Sequence, residues 1–314
     1  MKKIISMILA LALIVGACFA LASCDVLDSI MGMIGGESSV VDPNAGNDEV
    51  KNPTTPSTIK IGVQAGTTGE YFVNGDADWG FDGIAGYEAK GYQNAGLAVT
   101  DMLNGNVKYV VVDQQPALQL AGNQAFQGAI KVVNSPLTVE EYAFGVDKAQ
   151  NDLLASINAI LAAMKTDGTL DAIVAKYATG EGIAPVTSAE LDLSKADKQL
   201  VVATNANFAP FEYKEGNQFA GIDMEIAKYI ADTLEMELVI KDMDFDSVVT
   251  SVGTNGVDIA MAALTVNDVR KQSVNFTESY YDAAQVIIVK SADTTFDLCT
   301  TADDVIAKLE EAAA

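Results

Sequence analysis

From residue 59 onward, short apolar runs alternate with stretches whose apolar residues recur at helical spacing. The runs predict β-strands at IKIGVQ, KYVVVD, IKVVN, YAFGVD, QLVVATN, MELVIKDM, DIAMAA, VNFT and QVIIVK. The periodic stretches predict amphipathic helices at AGLAVTDML, LLASINAILAAM, AGIDMEIAKYIADTLEM and FDSVVTSV. Almost continuously apolar strands separated by helices are typical of parallel sheets covered on both faces. The pattern therefore predicts an α/β protein.

The N-terminal part of the chain does not follow this pattern. Two lysines precede an apolar run at residues 4–21, which ends in Leu21-Ala22-Ser23-Cys24. This ending resembles a bacterial lipobox, so we expect a signal peptide at residues 1–23 and a lipid on Cys24, in preference to an ordinary signal peptide or an uncleaved anchor. Residues 24–57 are rich in Gly, Ser, Asn, Pro, Asp and Thr, which predicts a flexible tether. We therefore expect an extracytoplasmic protein that a lipid anchor holds at the cell membrane.

Composition excludes several classes of function. The 314 residues, 49% hydrophobic, can form a large core or two smaller ones. A formal net charge of −24 argues against nucleic acid or an anionic membrane surface as a partner. The chain contains no His, which removes Ser-His-Asp and Cys-His catalysis and most zinc sites. Neither a G-x-G-x-x-G after a strand nor a G-x-x-x-x-G-K-[ST] is present, so we expect no nucleotide cofactor and no cofactor of another kind.

The segment NGDADWGFDG has a weak likeness to a calcium-binding loop, through Asn74, Asp76, Asp78 and Asp82. The glycine stands at the wrong offset, and no Glu follows at the position of a bidentate ligand. We therefore interpret it as a surface loop in which Trp79 is a packing anchor, and we expect no metal site.

Candidate binding residues come directly after predicted strands, where open α/β sheets bind their ligands. Arg270 follows DIAMAA, and a guanidinium binds a carboxylate through two parallel hydrogen bonds. Thr265, at the strand end, offers a hydroxyl to the same group. The alternative is an exposed arginine beside a threonine that caps a helix.

Two further turns could bind charged groups. Gly66, Thr67 and Thr68 follow IKIGVQ, where glycine permits close approach and the threonines offer hydroxyls and helix N-terminal amides to an anion. The alternative is an ordinary capped helix start. Asp113 ends KYVVVD, so it is either a helix N-cap or a buried carboxylate that requires a cation.

Two long segments of the chain resemble a known family in reverse order. Residues 199–291, which begin QLVVATNANFAPFEY, resemble the first half of the polar-amino-acid solute-binding proteins of ABC importers, family 3. Residues 59–178 contain IKIGVQAGTTGE, KYVVVDQQPA, EYAFGVDK and LLASINAILAAMKTDGTLDAIVAKY and resemble its second half. Because the second half comes first, the chain resembles a circularly permuted member of this family.

The resemblance implies a two-lobed, periplasmic-binding-protein-like (type II) α/β fold in permuted order. We expect one lobe at residues 143–292 and the other at residues 58–142, completed by residues 293–314. The two crossovers between the lobes, near Glu141 and near residues 290–293, would form a hinge.

The resemblance also assigns roles to the candidate residues. Arg270 and Thr265 would hold the α-carboxylate of an amino acid from one lobe, and Gly66, Thr67 and Thr68 would hold it from the other. Asp113 would bind the α-ammonium group.

Recognition of the ligand side chain falls to a second group of residues. Phe208 and Phe245 match two aromatic residues that flank the side chain in the family, although both could be core residues. Asn205 stands where relatives often carry an acid, Ala263 replaces small hydroxylated residues or glycine, and Gln64 faces the side-chain end of the pocket. These residues suit a polar, neutral side chain.

The resemblance therefore predicts a monomeric receptor, not an enzyme, that captures an L-α-amino acid and delivers it to the permease of an ABC importer. Two alternatives remain: a sensor module for a membrane signalling partner, and an enzyme on the same scaffold. Apart from Asp113, which the ammonium group occupies, the sequence offers no acid–base pair for an enzyme.

Overall fold

The computed structural model describes residues 58–314. The predicted signal peptide, lipid-carrying Cys24 and tether therefore lie outside the described residues. Residues 58–314 form two lobes, each built around a five-stranded sheet with helices against it. The predicted two-lobed α/β fold is confirmed.

The helices of the described part of the chain are α1 (Thr68–Asn74), α2 (Ala95–Leu103), α3 (Gln114–Gly122), α4 (Asn151–Asp167), α5 (Thr169–Thr179), α6 (Ile222–Thr233), α7 (Phe245–Ser251) and α8 (Ala302–Ala313). Short 3₁₀ turns are found at Leu193–Lys195 and Arg270–Gln272. The strands are β1 (Ile59–Gln64), β2 (Tyr87–Tyr92), β3 (Tyr109–Asp113), β4 (Ile130–Val132), β5 (Glu140–Tyr142), β6 (Gly145–Asp147), β7 (Gln199–Thr204), β8 (Asn207–Phe208), β9 (Glu212–Glu215), β10 (Gln218–Ala220), β11 (Glu237–Asp242), β12 (Ile259–Ala260), β13 (Val274–Phe276), β14 (Tyr281–Ala283) and β15 (Gln285–Lys290).

The two large sheets follow the same plan. The first has the strand order β2-β1-β3-β15-β4, and we call the lobe around it the β1 lobe. The second has the order β11-β7-β12-β6-β13 and defines the β7 lobe. In each sheet four strands are parallel, and one runs against its neighbours: β15 in the β1 lobe and β6 in the β7 lobe. The sheets are therefore mixed and not purely parallel.

The chain passes between the lobes at a small separate sheet. Strand β5 pairs with β14, so that Tyr142 lies opposite Tyr281 and Glu140 lies opposite Ala283. The crossover predicted near Glu141 lies in this pair. Two adjacent extended segments that join two lobes can act as a hinge.

The predicted lobe boundary at residue 292 and the crossover near residues 290–293 are wrong. Strand β15 lies in the sheet of the β1 lobe, between β3 and β4, so the second crossover falls at Tyr281–Ala283. Val286 to Val289 are fully buried, so β15 needs a central position in a sheet, and its pairing with β3 and β4 places that position in the β1 lobe.

Side chains on the two faces of the β1-lobe sheet pack into two different hydrophobic cores. Ile61, Val111 and Ile287 point to one face, where they pack with Val305 and Leu309 of α8. The other face contributes to a larger core that continues into the β7 lobe. Among residues 58–314, no helix combines the length and apolarity that a membrane span requires.

Candidate ligand-binding site

The carboxyl ends of strands from both lobes meet in one cleft. Gln64, the last residue of β1, donates from Nε2 to Oδ1 of Asn205 after β7, at 3.2 Å. Thr68 Oγ1 donates to Thr265 Oγ1 at 3.1 Å, again from one lobe to the other. These contacts place the two lobes against each other.

This cleft encloses a cavity of about 10 Å³, lined by Thr67, Thr68, Asp113, Phe208, Phe245, Ala263, Thr265 and Arg270. The other predicted site residues lie close by: Gln64 and Asn205 bond each other, and Gly66 O accepts from Nη2 of Arg270 at 3.4 Å. The structure therefore brings all the predicted site residues together. This space has room for about one water molecule at most, so a ligand enters only when the lobes separate.

A larger cavity, about 710 Å³, lies elsewhere on the β1 lobe. Its lining includes Ile59, Lys60, Lys108 and Lys290, which lie at the opposite end of the sheet from Gln64 and Asp113. Ligands of open α/β sheets bind at the carboxyl ends of the parallel strands, so the small cleft is the better candidate despite its volume.

Arg270 is a buried cation whose position is fixed by hydrogen bonds. It opens a 3₁₀ turn, and its backbone N–H donates to Asn267 Oδ1 at 2.8 Å. Nη1 donates to the carbonyl of Thr265 at 2.9 Å, and the guanidinium lies 5.4 Å from the ring centre of Phe245. Burial lowers the pKa of Arg270 to about 10, so it remains charged at neutral pH. Arg270 is therefore buried in the cleft, and the alternative of an exposed arginine is wrong.

Asp113 is buried and does not cap a helix with its side chain. It precedes α3, but its carboxylate makes no capping hydrogen bond. Instead, Oδ1 accepts from the Tyr142 hydroxyl at 2.5 Å and from Gln285 Nε2 at 2.9 Å. Burial, reinforced by the charge of Glu140, raises the pKa of Asp113 to about 7. A cation beside this carboxylate would favour its ionised form.

Glu140 is a second buried acid, and it is not among the residues that the sequence predicted for the site. Its carboxylate accepts from Thr265 Oγ1 at 2.6 Å and from Gln285 Nε2 at 3.1 Å. Glu140 is buried and its neighbour Glu141 is exposed, because β14 pairs with β5 in one register only. Side chains alternate along a strand, so the sequence EEY alone does not show which glutamate faces inward.

Ala263 stands at the site in a left-handed conformation, with φ of +48°. Its N–H donates to Asp223 Oδ2 at 2.9 Å, and Asp223 also accepts from the Tyr280 hydroxyl at 2.5 Å. Asp223 is fully buried, which raises its pKa to about 7. A buried acid thus holds the backbone turn that presents Ala263 to the cleft.

Glu212 is a fully buried acid, and neither carboxylate oxygen has a hydrogen-bond partner within residues 58–314. Burial raises its pKa well above the usual value, and the charges of Asp223 and Asp113 raise it further. The folded state therefore keeps a proton that the unfolded chain releases above about pH 4.3. The contribution of Glu212 to the free energy of unfolding is therefore fully present below that pH and is lost as the pH rises.

Replacement of Glu212 by glutamine should therefore raise the melting temperature at pH 8, by on the order of 5 °C, because no proton has to be taken up on folding. Thermal melting at pH 8 and pH 4.5 checks this, and the gain should be small at pH 4.5. The exposed Glu215→Gln is the matched control and should change little at either pH. A Glu212→Gln gain of equal size at both pH values would contradict the assignment.

Part of the chain is similar to a known family. Residues 200–313 match bacterial extracellular solute-binding proteins, family 3. The chain is 39% identical over 93 residues to the arginine-binding extracellular protein ArtP of Bacillus subtilis. The matched residues make up 30% of this chain and 36% of that protein. It is 34% identical over 90 residues to a probable histidine-binding protein of Neisseria gonorrhoeae, 28% of this chain and 33% of that protein.

The similarity extends to solved structures over a limited length. The arginine-bound form of domain 1 from TmArgBP is 30% identical, with coverage of 39% of this chain and 99% of that chain and a TM-score of 0.27. The chain spans about a third of the length of the curated relatives named above. Residues 200–313 are thus similar to family 3 solute-binding proteins, and the two curated relatives are named as an arginine-binding and a probable histidine-binding protein.

Proposed function

We propose that this chain is a receptor that binds an L-α-amino acid between its two lobes and performs no chemistry on it. The observation that carries the proposal is a pair of buried, opposite charges in one cleft. Arg270 comes from the β7 lobe and Asp113 from the β1 lobe, and both line the same cavity. Buried charges are costly unless they have partners, and a zwitterion supplies one partner to each.

In this proposal the α-carboxylate binds Arg270. Arginine has five N–H donors, of which the structure uses two in bonds to the Thr265 and Gly66 carbonyls. The remaining donors can form a bidentate pair with a carboxylate. Thr265 and Thr68 add hydroxyl groups from opposite lobes, so a bound carboxylate would draw the lobes together. The α-ammonium group binds Asp113.

We infer that the ligand has a polar side chain. Oε1 of Gln64 is buried and has no hydrogen-bond partner in residues 58–314, whereas Nε2 of the same residue bonds Asn205. An unpaired buried acceptor is costly, and a ligand N–H or O–H would satisfy it. Phe208 and Phe245 line the cavity, and aromatic rings can bury the methylene groups of such a side chain.

Delivery to the permease of an ABC importer and anchoring through Cys24 complete the proposed role. They rest on the resemblance and on the sequence of residues 1–57, and they place the receptor on the outer side of a membrane. Cys24→Ser should release the protein from the membrane fraction. Retention of the variant in that fraction would overturn the anchor.

We also propose that the chain is circularly permuted relative to its relatives. The end of α8 lies beside the start of β1: a Cβ on Gly86 would be 2.6 Å from Ala313 Cβ, and the Gly86 carbonyl accepts from Ile59 N at 3.0 Å. A rearranged chain that joins Ala314 to Thr58 through a short linker and opens between α5 and β7 should fold and bind the same ligand. Failure to fold would contradict the permutation.

Thermal melting against single L-amino acids tests the proposed function. A ligand present at one hundred times its dissociation constant should stabilise the protein by about 2.7 kcal/mol. This corresponds to a rise of roughly 5–10 °C for a protein of this size. A rise with one or a few L-amino acids, but not with their D-forms, is the expected result. No rise with any amino acid would overturn the proposal.

A further inference from the structure

We propose that Trp79 is a latch that reaches across the cleft and holds Arg270 in its ligand-binding position. This inference rests on the proposed function and adds a positioning residue to the same site. The guanidinium carbon of Arg270 lies 5.0 Å from the ring centre of Trp79. Trp79 belongs to the β1 lobe and Arg270 to the β7 lobe, so this contact exists only when the lobes are together.

The loop around Trp79 is built to hold the indole in place. Phe81 N donates to the Asp76 carbonyl at 3.0 Å and Asp76 N to the Phe81 carbonyl at 2.8 Å, which closes the loop. The Asp76 carboxylate accepts from the backbone N–H of Asp78 at 2.9 Å and of Trp79 at 3.3 Å. The Asp76 carboxylate thus stabilises the turn through backbone hydrogen bonds, and the turn holds Trp79 in position.

Two aromatic contacts join this loop to α1. The indole of Trp79 stacks on Tyr71, with ring centres 4.0 Å apart and planes inclined by 13°. Phe81 makes an edge contact with Phe72, at 5.5 Å between ring centres. Because α1 begins at Thr68 of the candidate site, the indole packs through Tyr71 on the helix that carries the Thr68 hydroxyl.

The guanidinium therefore lies near two aromatic rings from opposite lobes, Trp79 and Phe245. A cation over an aromatic face is attracted by the ring, and the attraction grows when water is excluded. The contact fixes the plane of the guanidinium while its hydrogen bonds to Thr265 and Gly66 fix its direction. When the lobes separate, Arg270 loses the indole, so the ligand is released more easily.

Binding kinetics and fluorescence of the purified protein test the latch, with the L-amino acid found in the melting experiment as the probe. Trp79→Ala should bind this probe roughly 5- to 30-fold more weakly, mainly through faster dissociation, while association changes little. Trp79→Phe should recover part of the loss, because phenylalanine keeps a ring face. Tyr229→Ala, at an exposed aromatic residue of α6 outside the cleft, is the control and should bind as the unaltered protein does.

The chain has one tryptophan, so its emission reports this contact directly. Addition of the amino acid to the unaltered protein should change the emission, and without ligand the emission of Arg270→Ala should differ from that of the unaltered protein. Unchanged dissociation in Trp79→Ala, or emission that does not respond to a ligand that binds, would overturn the latch and leave the proposed function standing. Absence of binding to the unaltered protein would instead overturn the proposed function.

Discussion

Replacement of Arg270 by alanine is expected to weaken amino-acid binding at least about 100-fold, equivalent to about 3 kcal/mol or more. The guanidinium is the proposed partner of the α-carboxylate, and its loss leaves a carboxylate in a buried site without a cation. The buried carboxylates of Asp113 and Glu140 would also lose the nearby positive charge. Titration calorimetry of the variant measures the change.

Two further variants separate the paired hydrogen bonds of the Arg270 guanidinium from its positive charge. Arg270→Lys keeps the charge but cannot form two parallel bonds, so it should bind with intermediate affinity. Lys271→Ala removes the next, exposed cation of the same 3₁₀ turn, where Lys271 pairs with Asp268 at 2.9 Å, and should bind normally. Normal binding by Arg270→Ala would show that the carboxylate is held elsewhere.

Amino-acid binding should weaken as the pH falls below about 7. Asp113 has a pKa of about 7 in the folded chain because burial and the charge of Glu140 disfavour its ionised form. An ammonium group favours the ionised form, so binding below pH 7 must displace a proton, and affinity falls by up to tenfold per pH unit. At pH 5.5 binding should be roughly 30-fold weaker than at pH 8.

The control for this prediction is Asp113→Asn, which should bind weakly at every pH and lose the dependence between pH 5.5 and pH 8. Calorimetry in two buffers of different ionisation enthalpy should also detect the release of a proton at pH 6 and little release at pH 8. Affinity that is equal at pH 5.5 and pH 8 in the unaltered protein would contradict the role of Asp113.

The sequence predicted the fold class and the residues of the cleft because both depend on local pattern. Asp113, Thr265 and Arg270 each follow a short apolar strand, and the carboxyl ends of parallel strands meet at one edge of a sheet. The resemblance to a known family then related the two halves of the site. It did not locate strand β15 correctly, because an apolar run such as QVIIVK fits the centre of either sheet.

Residues that act through a long-range contact could not be predicted in this way. The burial of Glu140 depends on the register between β5 and β14, which is set by residues far apart in the chain. Trp79 lies in a loop without periodicity, and its position over Arg270 follows from the closure of two lobes. Glu212 is fully buried in a segment, FEYKEG, whose neighbouring residues are largely polar.

Titration calorimetry of the purified protein at pH 8 with individual L-amino acids and their D-forms tests the central claim most directly. We expect one bound ligand per chain, a clear preference for the L-form, and loss of the heat signal in Arg270→Ala. Absence of binding for every L-amino acid, or equal binding of both enantiomers, would contradict a cleft that holds the carboxylate and the ammonium group of an L-α-amino acid from opposite lobes.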